Sequence, residues 1–134
     1  MRGHALEVRI YAERPEKGFL PSAGILTTFK LQAAQDFVNG PDGQPALRVD
    51  SGFRQGDAVT PFYDALLAKL ILRGRDRNEA IALMLKALEG VKAEGVHTNA
   101  RFLHRLIDCE SFRSGNVDTG LIARELAELN KAAA

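Results

Sequence analysis

The residues best suited to chemistry occupy alternate positions of one predicted strand, at Glu7, Arg9 and Tyr11. Aliphatic residues alternate with them, namely Leu6, Val8 and Ile10. Successive side chains of a strand point to opposite faces, so the arginine lies between a carboxylate and a phenol on one face. A guanidinium held on a strand can bind a carboxylate, a phosphate or a developing oxyanion through two parallel hydrogen bonds. The same spacing is also typical of a solvated row of polar side chains, and the pattern alone leaves both interpretations open.

An arginine in such a site needs an anion to orient it, and one acidic residue is a candidate for that anion. Asp64 ends the stretch Pro61-Phe62-Tyr63-Asp64, a turn sequence rich in aromatic residues. We therefore predict a contact between Asp64 and Arg9.

Other catalytic or metal-binding patterns are missing from the sequence. His97 and His104 are seven residues apart and lack the further clustered ligands that a zinc site needs. The glycines form no phosphate-binding loop motif. Asp108 and Asp118 are isolated carboxylates, which indicates helix-end or solvated residues rather than an acid/base pair.

Composition excludes several classes of partner. The 134 residues carry 18 basic and 17 acidic side chains, so no net field attracts nucleic acid or an anionic membrane. The longest apolar run, residues 65–72, is interrupted by Lys69 and is too short to span a bilayer. No secretory signal is recognisable, and the single cysteine, Cys109, is expected to be reduced. We expect a cytoplasmic protein, or a mitochondrial matrix protein if the source is eukaryotic.

The first half of the chain is predicted to be rich in strands. Alternation and β-branched residues predict strands over residues 3–13, 25–31, 47–51 and 68–73. Pro15 and Gly18 predict a turn after the first strand. Residues 36–45 contain two glycines and two prolines, which indicates a surface insertion.

The second half is predicted to be helical. Asp76 and Glu79 have capping-box spacing, which fixes a helix start. Apolar residues then recur at three- and four-residue steps from Ile81 to Val91, and we expect this helix to continue to Gly95.

Two further helices are predicted after that glycine. Thr98 or Asn99 should cap a helix that buries one apolar side. Residues 111–115 are predicted to be a turn, and a last helix should begin near Thr119. Together these elements predict an α+β fold, with a small antiparallel sheet covered by two to three C-terminal helices. We expect residues 1–134 to form a single domain in which helices over 81–91 and 102–107 pack on the aliphatic side of the first strand.

Several short motifs, taken in order, resemble the C-terminal domain of biotin carboxylase. In the first half they are Gly3-His4-Ala5-Leu6-Glu7-Val8-Arg9-Ile10-Tyr11-Ala12-Glu13, Phe19-Leu20-Pro21-Ser22-Ala23-Gly24 and Val59-Thr60-Pro61-Phe62-Tyr63-Asp64. In the second half they are Ala68-Lys69-Leu70-Ile71 with Gly74, Arg77 with Ala80, Gly95-Val96-His97-Thr98-Asn99, Phe102-Leu103 and Phe112-Arg113-Ser114-Gly115. No single motif is decisive, but the collinear set covers nearly the whole chain.

The resemblance implies a role in biotin carboxylation. Biotin carboxylases are ATP-grasp ligases that activate bicarbonate with Mg-ATP to carboxyphosphate and then carboxylate biotin on a carrier domain. The family's strand arginine matches Arg9, which implies that Arg9 stabilises the biotin enolate or the phosphate derived from carboxyphosphate. Asp64 matches the aspartate of the family's Pro-Tyr-Tyr-Asp motif and is expected to hold Arg9, with Glu7 and Tyr11 as further support.

The resemblance also implies partners for this chain. They are the rest of the biotin carboxylase subunit, a biotin carboxyl carrier domain, a carboxyltransferase subunit and a second copy in a homodimer or larger complex. No nucleic acid or membrane partner is expected. The carboxyl acceptor, whether an acyl-CoA, pyruvate or urea, is chosen by the carboxyltransferase, so this sequence does not specify it.

The chain departs from the family pattern at several points. Phe62 stands where the family often has tyrosine, Ala23 where it often has proline and Arg14 where it often has aspartate. The insertion at 36–45 is longer than in stand-alone bacterial subunits and is more similar to the α subunits of acetyl-, propionyl- or methylcrotonyl-CoA carboxylases.

Nothing in the sequence resembles the family's N-terminal domain, glycine-rich lid, ATP-contacting lysines or magnesium ligands. We therefore expect Met1 to mark an artificial start or a truncated reading frame. We also expect the chain alone to bind no cofactor or metal and to be inactive. The alternative is a non-catalytic module that keeps the fold for subunit assembly.

Overall fold

The structure is a computed structural model that describes residues 3–31, 46–62 and 65–133. Its strands are β1 His4–Tyr11, β2 Glu13–Arg14, β3 Leu20–Pro21, β4 Gly24–Ile25, β5 Thr28–Lys30, β6 Ala46–Ser51, β7 Ala58–Val59, β8 Leu66–Gly74 and β9 Lys92–Glu94. Its helices are α1 Arg77–Glu89, α2 Ala100–Asp108, α3 Glu110–Arg113 and α4 Leu121–Ala133, with a 3-10 turn at Pro15–Lys17. The α+β prediction is confirmed.

The main sheet contains three antiparallel strands in the order β1, β8, β6. Val8 lies opposite Leu70 and Arg9 lies opposite Lys69. Side chains directly opposite one another in an antiparallel pair share a face, so this register divides the sheet into an aliphatic face and a charged face. We call the charged face the open face; its central side chains are Glu7, Arg9, Arg48, Asp50, Lys69 and Ile71.

Helices α1 and α2 cover the aliphatic face, as predicted. The core contains Val8, Ile10, Leu70, Leu72, Ile81, Met84, Leu88 and Ile107, and Leu6 packs against it. Each fully buried aliphatic side chain contributes about 1.5–3 kcal/mol, so this layer is what fixes β1 relative to the helices.

The start of α1 follows the predicted capping pattern. The carboxylate of Asp76 accepts a hydrogen bond from the Glu79 amide at 2.8 Å. The Glu79 carboxylate reaches back to the amide of Arg75 at 2.9 Å. The Asp76 carboxylate therefore satisfies an amide that the helix itself leaves unpaired, and the Glu79 carboxylate binds the residue before the cap.

The predicted end of α1 is wrong. The helix stops at Glu89, where the Gly90 amide donates to the Lys86 carbonyl at 3.2 Å. Residues Lys92–Glu94 then form β9, which pairs with β5. Gly95 is not a helix cap but a residue with φ of +95° beside the Ile25 backbone. A short apolar periodicity cannot distinguish this strand from a last helical turn.

Two other predictions need correction. The strand predicted at 25–31 is divided into β4 and β5, because β4 pairs with β7 and β5 with β9. The turn predicted at 111–115 begins inside the short helix α3. The insertion at 36–45 lies outside the described residues. No helix in the described ranges is long and apolar enough to cross a membrane.

Candidate functional site

Arg9 projects from the open face at the edge of the sheet. Its Nε donates to the Glu7 carboxylate at 3.2 Å, and the two side chains are 55% and 43% exposed. An ion pair this exposed contributes at most about 1 kcal/mol, so it orients Arg9 only weakly. The guanidinium is therefore available to a further anion.

Tyr11 is near Arg9, as the strand pattern predicts, although the strand is irregular there. The register with β8 shifts between Ile10 and Tyr11. The Tyr11 phenol, followed by the Glu7 carboxylate, raises the pKa of Arg9 above its ordinary value. The guanidinium is thus a permanent positive charge.

A groove of about 340 Å³ runs along the outer edge of β1, beside α2. Its wall is mainly apolar and includes Phe19, Phe102, Leu103, Leu106, Phe112 and Ile122, while Glu7, Arg9, Tyr11, Glu13 and Asn99 supply polar groups. Phe19 and Phe102 meet edge to face with their ring centroids 5.6 Å apart. Glu13 is half-buried in this wall, and its burial raises the pKa of its carboxyl above the ordinary value.

Asn99 joins helix α2 to the backbone of β1. Its Oδ1 accepts from the Tyr11 amide at 2.8 Å, and its Nδ2 donates to the Arg9 carbonyl at 3.0 Å. Its own amide donates to the Tyr11 carbonyl at 3.2 Å. Asn99 belongs to one of the family motifs and is predicted from its residue type to cap α2, but its side chain makes no cap hydrogen bond. No sequence signal identifies this contact, since it depends on how α2 packs beside β1.

Lys69 places another positive charge on the open face, next to Arg9. It lies directly opposite Arg9 on the central strand, with Asp50 opposite it on the other side. Asp50 already accepts from Arg48 at 3.1 Å. Like charges placed directly opposite in an antiparallel pair are destabilising, so the Arg9–Lys69 arrangement favours binding of an anion between them.

Three other residues of the family motifs, His4, Arg77 and Phe112, meet at the start of β1 and have a structural role. The Arg77 guanidinium lies over the Phe112 ring at 4.9 Å from its centroid and donates to the Phe112 carbonyl. It is also 3.4 Å from His4 Nε2. These contacts attach α3 to α1 and β1.

The predicted partner of Arg9, Asp64, lies outside the described residues, as does Tyr63. The neighbouring Phe62 is 85% exposed. Within the described residues, no group of three or more His, Cys, Asp or Glu side chains could hold a metal ion.

The fold and the site define a small α+β domain with an exposed arginine at the edge of its sheet, beside an apolar groove. Comparison with known proteins identifies the family. The profile of the biotin carboxylase C-terminal domain matches residues 7–124, and the chain belongs to this family.

Relatives from plants and bacteria agree with that assignment. The chain is 39% identical over 129 residues to the α subunit of mitochondrial methylcrotonoyl-CoA carboxylase from Arabidopsis thaliana, covering 96% of the chain and 16% of that protein. It is 40% identical over 124 residues to biotin carboxylase 2 of Bacillus subtilis, covering 92% of the chain and 26% of that protein. The chain therefore spans between a sixth and about a quarter of these relatives.

A solved structure shows the same fold. The biotin carboxylase domain dimer of Hydrogenobacter thermophilus 2-oxoglutarate carboxylase, in complex with MgADP, ADP and bicarbonate, superposes with a TM-score of 0.77 at 33% identity. The match covers 92% of this chain and 25% of that one.

Proposed function

We propose that this chain is the C-terminal domain of a biotin carboxylase that carboxylates carrier-bound biotin with bicarbonate and Mg-ATP. The observation that supports this most directly is the placement of Arg9. It lies within the matched family region, on the open face of the sheet and in the wall of the groove. In this proposal the chain contributes one wall of an active site, and the parent enzyme completes it.

Arg9 acts on the charge that develops during carboxyl transfer. Cleavage of carboxyphosphate would release CO2 and phosphate. The phosphate would accept the biotin N1 proton, which leaves negative charge on the ureido oxygen before N1 attacks the CO2. A cation fixed in place before the reaction stabilises either charge most strongly where water is excluded. The apolar wall of the groove provides such surroundings on one side of Arg9, and Lys69 strengthens the positive field. Glu7, Tyr11 and Asp64 would limit the directions in which the guanidinium points.

The cofactors of the parent would be biotin, ATP and magnesium. The related Hydrogenobacter domain binds MgADP and bicarbonate, which supports this set for the parent enzyme. In this proposal the present chain supplies positive charge to the active site, and the ATP-grasp part of the subunit holds the nucleotide and the metal. As a ligase of this kind, the parent would serve fatty acid or branched-chain amino acid metabolism, in the cytoplasm or, if the source is eukaryotic, in the mitochondrial matrix.

The partners in this proposal are the rest of the subunit, a biotin carboxyl carrier domain, a carboxyltransferase and a second subunit. Residues 1–134 would form one domain of that assembly. A biotin-attachment motif, with a lysine between two methionines, encoded downstream of this segment would favour the catalytic role over a purely assembling module.

The test replaces Arg9 by alanine in the intact carboxylase, with Arg48→Ala as the matched control. Arg48 is on the opposite edge of the same face, and it pairs with Asp50 at 3.1 Å much as Arg9 pairs with Glu7 at 3.2 Å. We expect bicarbonate- and biotin-dependent ATP hydrolysis to fall about 100-fold or more in Arg9→Ala, the scale of losing one preorganised charge-stabilising group. The control should stay within about twofold of wild type, because Arg48 does not line the groove.

Near wild-type carboxylation by Arg9→Ala would contradict the catalytic role and favour the assembly module. A second measurement concerns the 134-residue chain by itself. We expect no bicarbonate- and biotin-dependent ATP hydrolysis from it, and a measurable rate would contradict the division of the site between this chain and the rest of the parent.

A further inference from the structure

We infer that Asn99 is a positioning residue that fixes the backbone of Arg9, an inference that rests on the proposed function. Asn99 is 5% exposed, so its polar groups must be satisfied within the protein. Its Oδ1 accepts a hydrogen bond from the Tyr11 amide at 2.8 Å, and its Nδ2 donates one to the Arg9 carbonyl at 3.0 Å. One side chain thus binds both a backbone carbonyl, that of Arg9, and a backbone amide, that of Tyr11.

The position of β1 in the sheet explains why such a contact is needed. Among the described residues β1 is an edge strand, so the outward-facing backbone groups of Arg9 and Tyr11 have no neighbouring strand there to pair with. In addition, the register with β8 is interrupted between Ile10 and Tyr11. The carboxamide has the donor and acceptor of a peptide group, and it replaces the missing strand at the place where the ladder is weakest.

The side chain is committed to β1 rather than to its own helix. α2 begins at Ala100, and Asn99 makes no side-chain cap hydrogen bond. The Ala100 amide instead approaches Thr98 Oγ1 at 3.4 Å. Asparagine at this position therefore serves the strand, and residues that only cap helices would not replace it.

The chemistry of the contact selects asparagine among residues of similar size. An ionised aspartate can accept from Tyr11 N but would present a second acceptor to the Arg9 carbonyl. Alanine leaves both backbone groups unpaired. A displacement of about 1 Å at a reacting group can reduce a rate about 100-fold, so loosening this backbone should affect the chemistry of Arg9.

The first experiment measures amide hydrogen exchange in the 134-residue chain carrying Asn99→Ala. The Tyr11 amide should exchange about tenfold faster or more, because it loses its acceptor. The Ala12 amide is the internal control, since it donates to the Ala65 carbonyl at 3.0 Å on the other side of the strand. Equal acceleration at both amides would indicate general loosening and would contradict the inference.

The second experiment uses the intact carboxylase. Asn99→Ala should lower kcat about tenfold to 100-fold while KM for ATP stays within about twofold. The loss should be much smaller when Asn99→Ala is introduced into an Arg9→Lys variant, because the two residues act as one unit. The same fractional loss in both backgrounds would show a merely structural role and overturn the inference.

Asn99→Asp keeps the inference testable if the alanine variant does not fold. Its new carboxyl group, when protonated, can donate to the Arg9 carbonyl and accept from the Tyr11 amide, as the carboxamide does. Activity relative to wild type at the same pH should therefore recover as the pH is lowered, and a pH-independent ratio would contradict the positioning role. Full activity of Arg9→Ala would refute the proposed function, whereas an inactive Arg9→Ala with a fully active Asn99→Ala would refute only this inference.

Discussion

Replacement of Gly95 by alanine tests the close approach of two backbone segments, one at Gly95 just after β9 and the other at Ile25 in β4. A Cβ at Gly95 would lie 1.7 Å from the Ile25 carbonyl oxygen and 2.9 Å from its carbon. Both atoms belong to the backbone, so no side-chain rotation relieves the clash. The neighbouring Thr27 amide donates to the Glu94 carbonyl at 3.0 Å, which shows how closely these segments are joined.

The destabilisation can be estimated against a matched control, Gly56→Ala. Gly56 has φ of +98° and Gly95 has φ of +95°, but a Cβ at Gly56 would meet no atom within 4 Å. Alanine at either position brings a left-handed strain of about 1–2 kcal/mol, partly offset by a less flexible unfolded chain. At Gly95 the backbones must also separate by about 1 Å or more, which adds an overpacking term of about 1–3 kcal/mol and weakens local hydrogen bonds.

We therefore expect Gly95→Ala to lower the free energy of unfolding by about 3–5 kcal/mol and Gly56→Ala by about 1 kcal/mol. Urea denaturation followed by circular dichroism measures both values in the 134-residue chain. Because a small domain has only about 5–15 kcal/mol of stability, the Gly95 variant should be largely unfolded in moderate urea. Equal values for the two variants would refute the close backbone approach and leave φ strain as the only effect.

Three further perturbations have defined outcomes. Burial raises the pKa of the Glu13 carboxyl above its ordinary value of 4.5. The stability that Glu13 contributes is therefore present below pH 4.5 and is lost as the pH rises through the pKa of the folded state. Glu13→Gln should raise Tm at pH 7 but not at pH 4. Asp76→Ala should lower the free energy of unfolding by about 1 kcal/mol in chemical denaturation, because a first-turn amide loses its cap. In the intact carboxylase, Lys69→Gln should reduce kcat/KM for bicarbonate about fivefold at low salt, by weakening the field around Arg9, and Lys69→Arg should restore it. Lys30→Gln, at the exposed last residue of β5, is the control, and an equal effect there would contradict a local role for Lys69.

Strand alternation and capping chemistry predict the elements that carry Arg9. The alternation from Leu6 to Ile10 correctly places aliphatic side chains in the core and Arg9 on the open face. The Asp76 cap correctly places the start of α1. Both are local signals, in which neighbouring residues alone determine the outcome.

The end of α1 and the role of Asn99 are not predictable in that way. β9 exists because β5 is available to pair with it, and a three-residue strand has no reliable local pattern. Asn99 is a good helix cap by residue type, but its carboxamide forms hydrogen bonds with the backbone at the edge of β1 instead. Both errors follow from contacts between segments far apart in the sequence.

Arg9 combines an accessible side chain with a backbone that is fixed at the edge of the sheet. An edge strand leaves the guanidinium accessible, but within the described residues it also leaves one side of the local backbone without a neighbouring strand. The core under Val8 and Ile10 fixes β1 from one side, and Asn99 fixes it at Arg9 and Tyr11 from another. Accessibility and rigidity of Arg9 therefore depend on different residues, so variants can separate them: Asn99→Ala removes the edge contact and leaves the core intact.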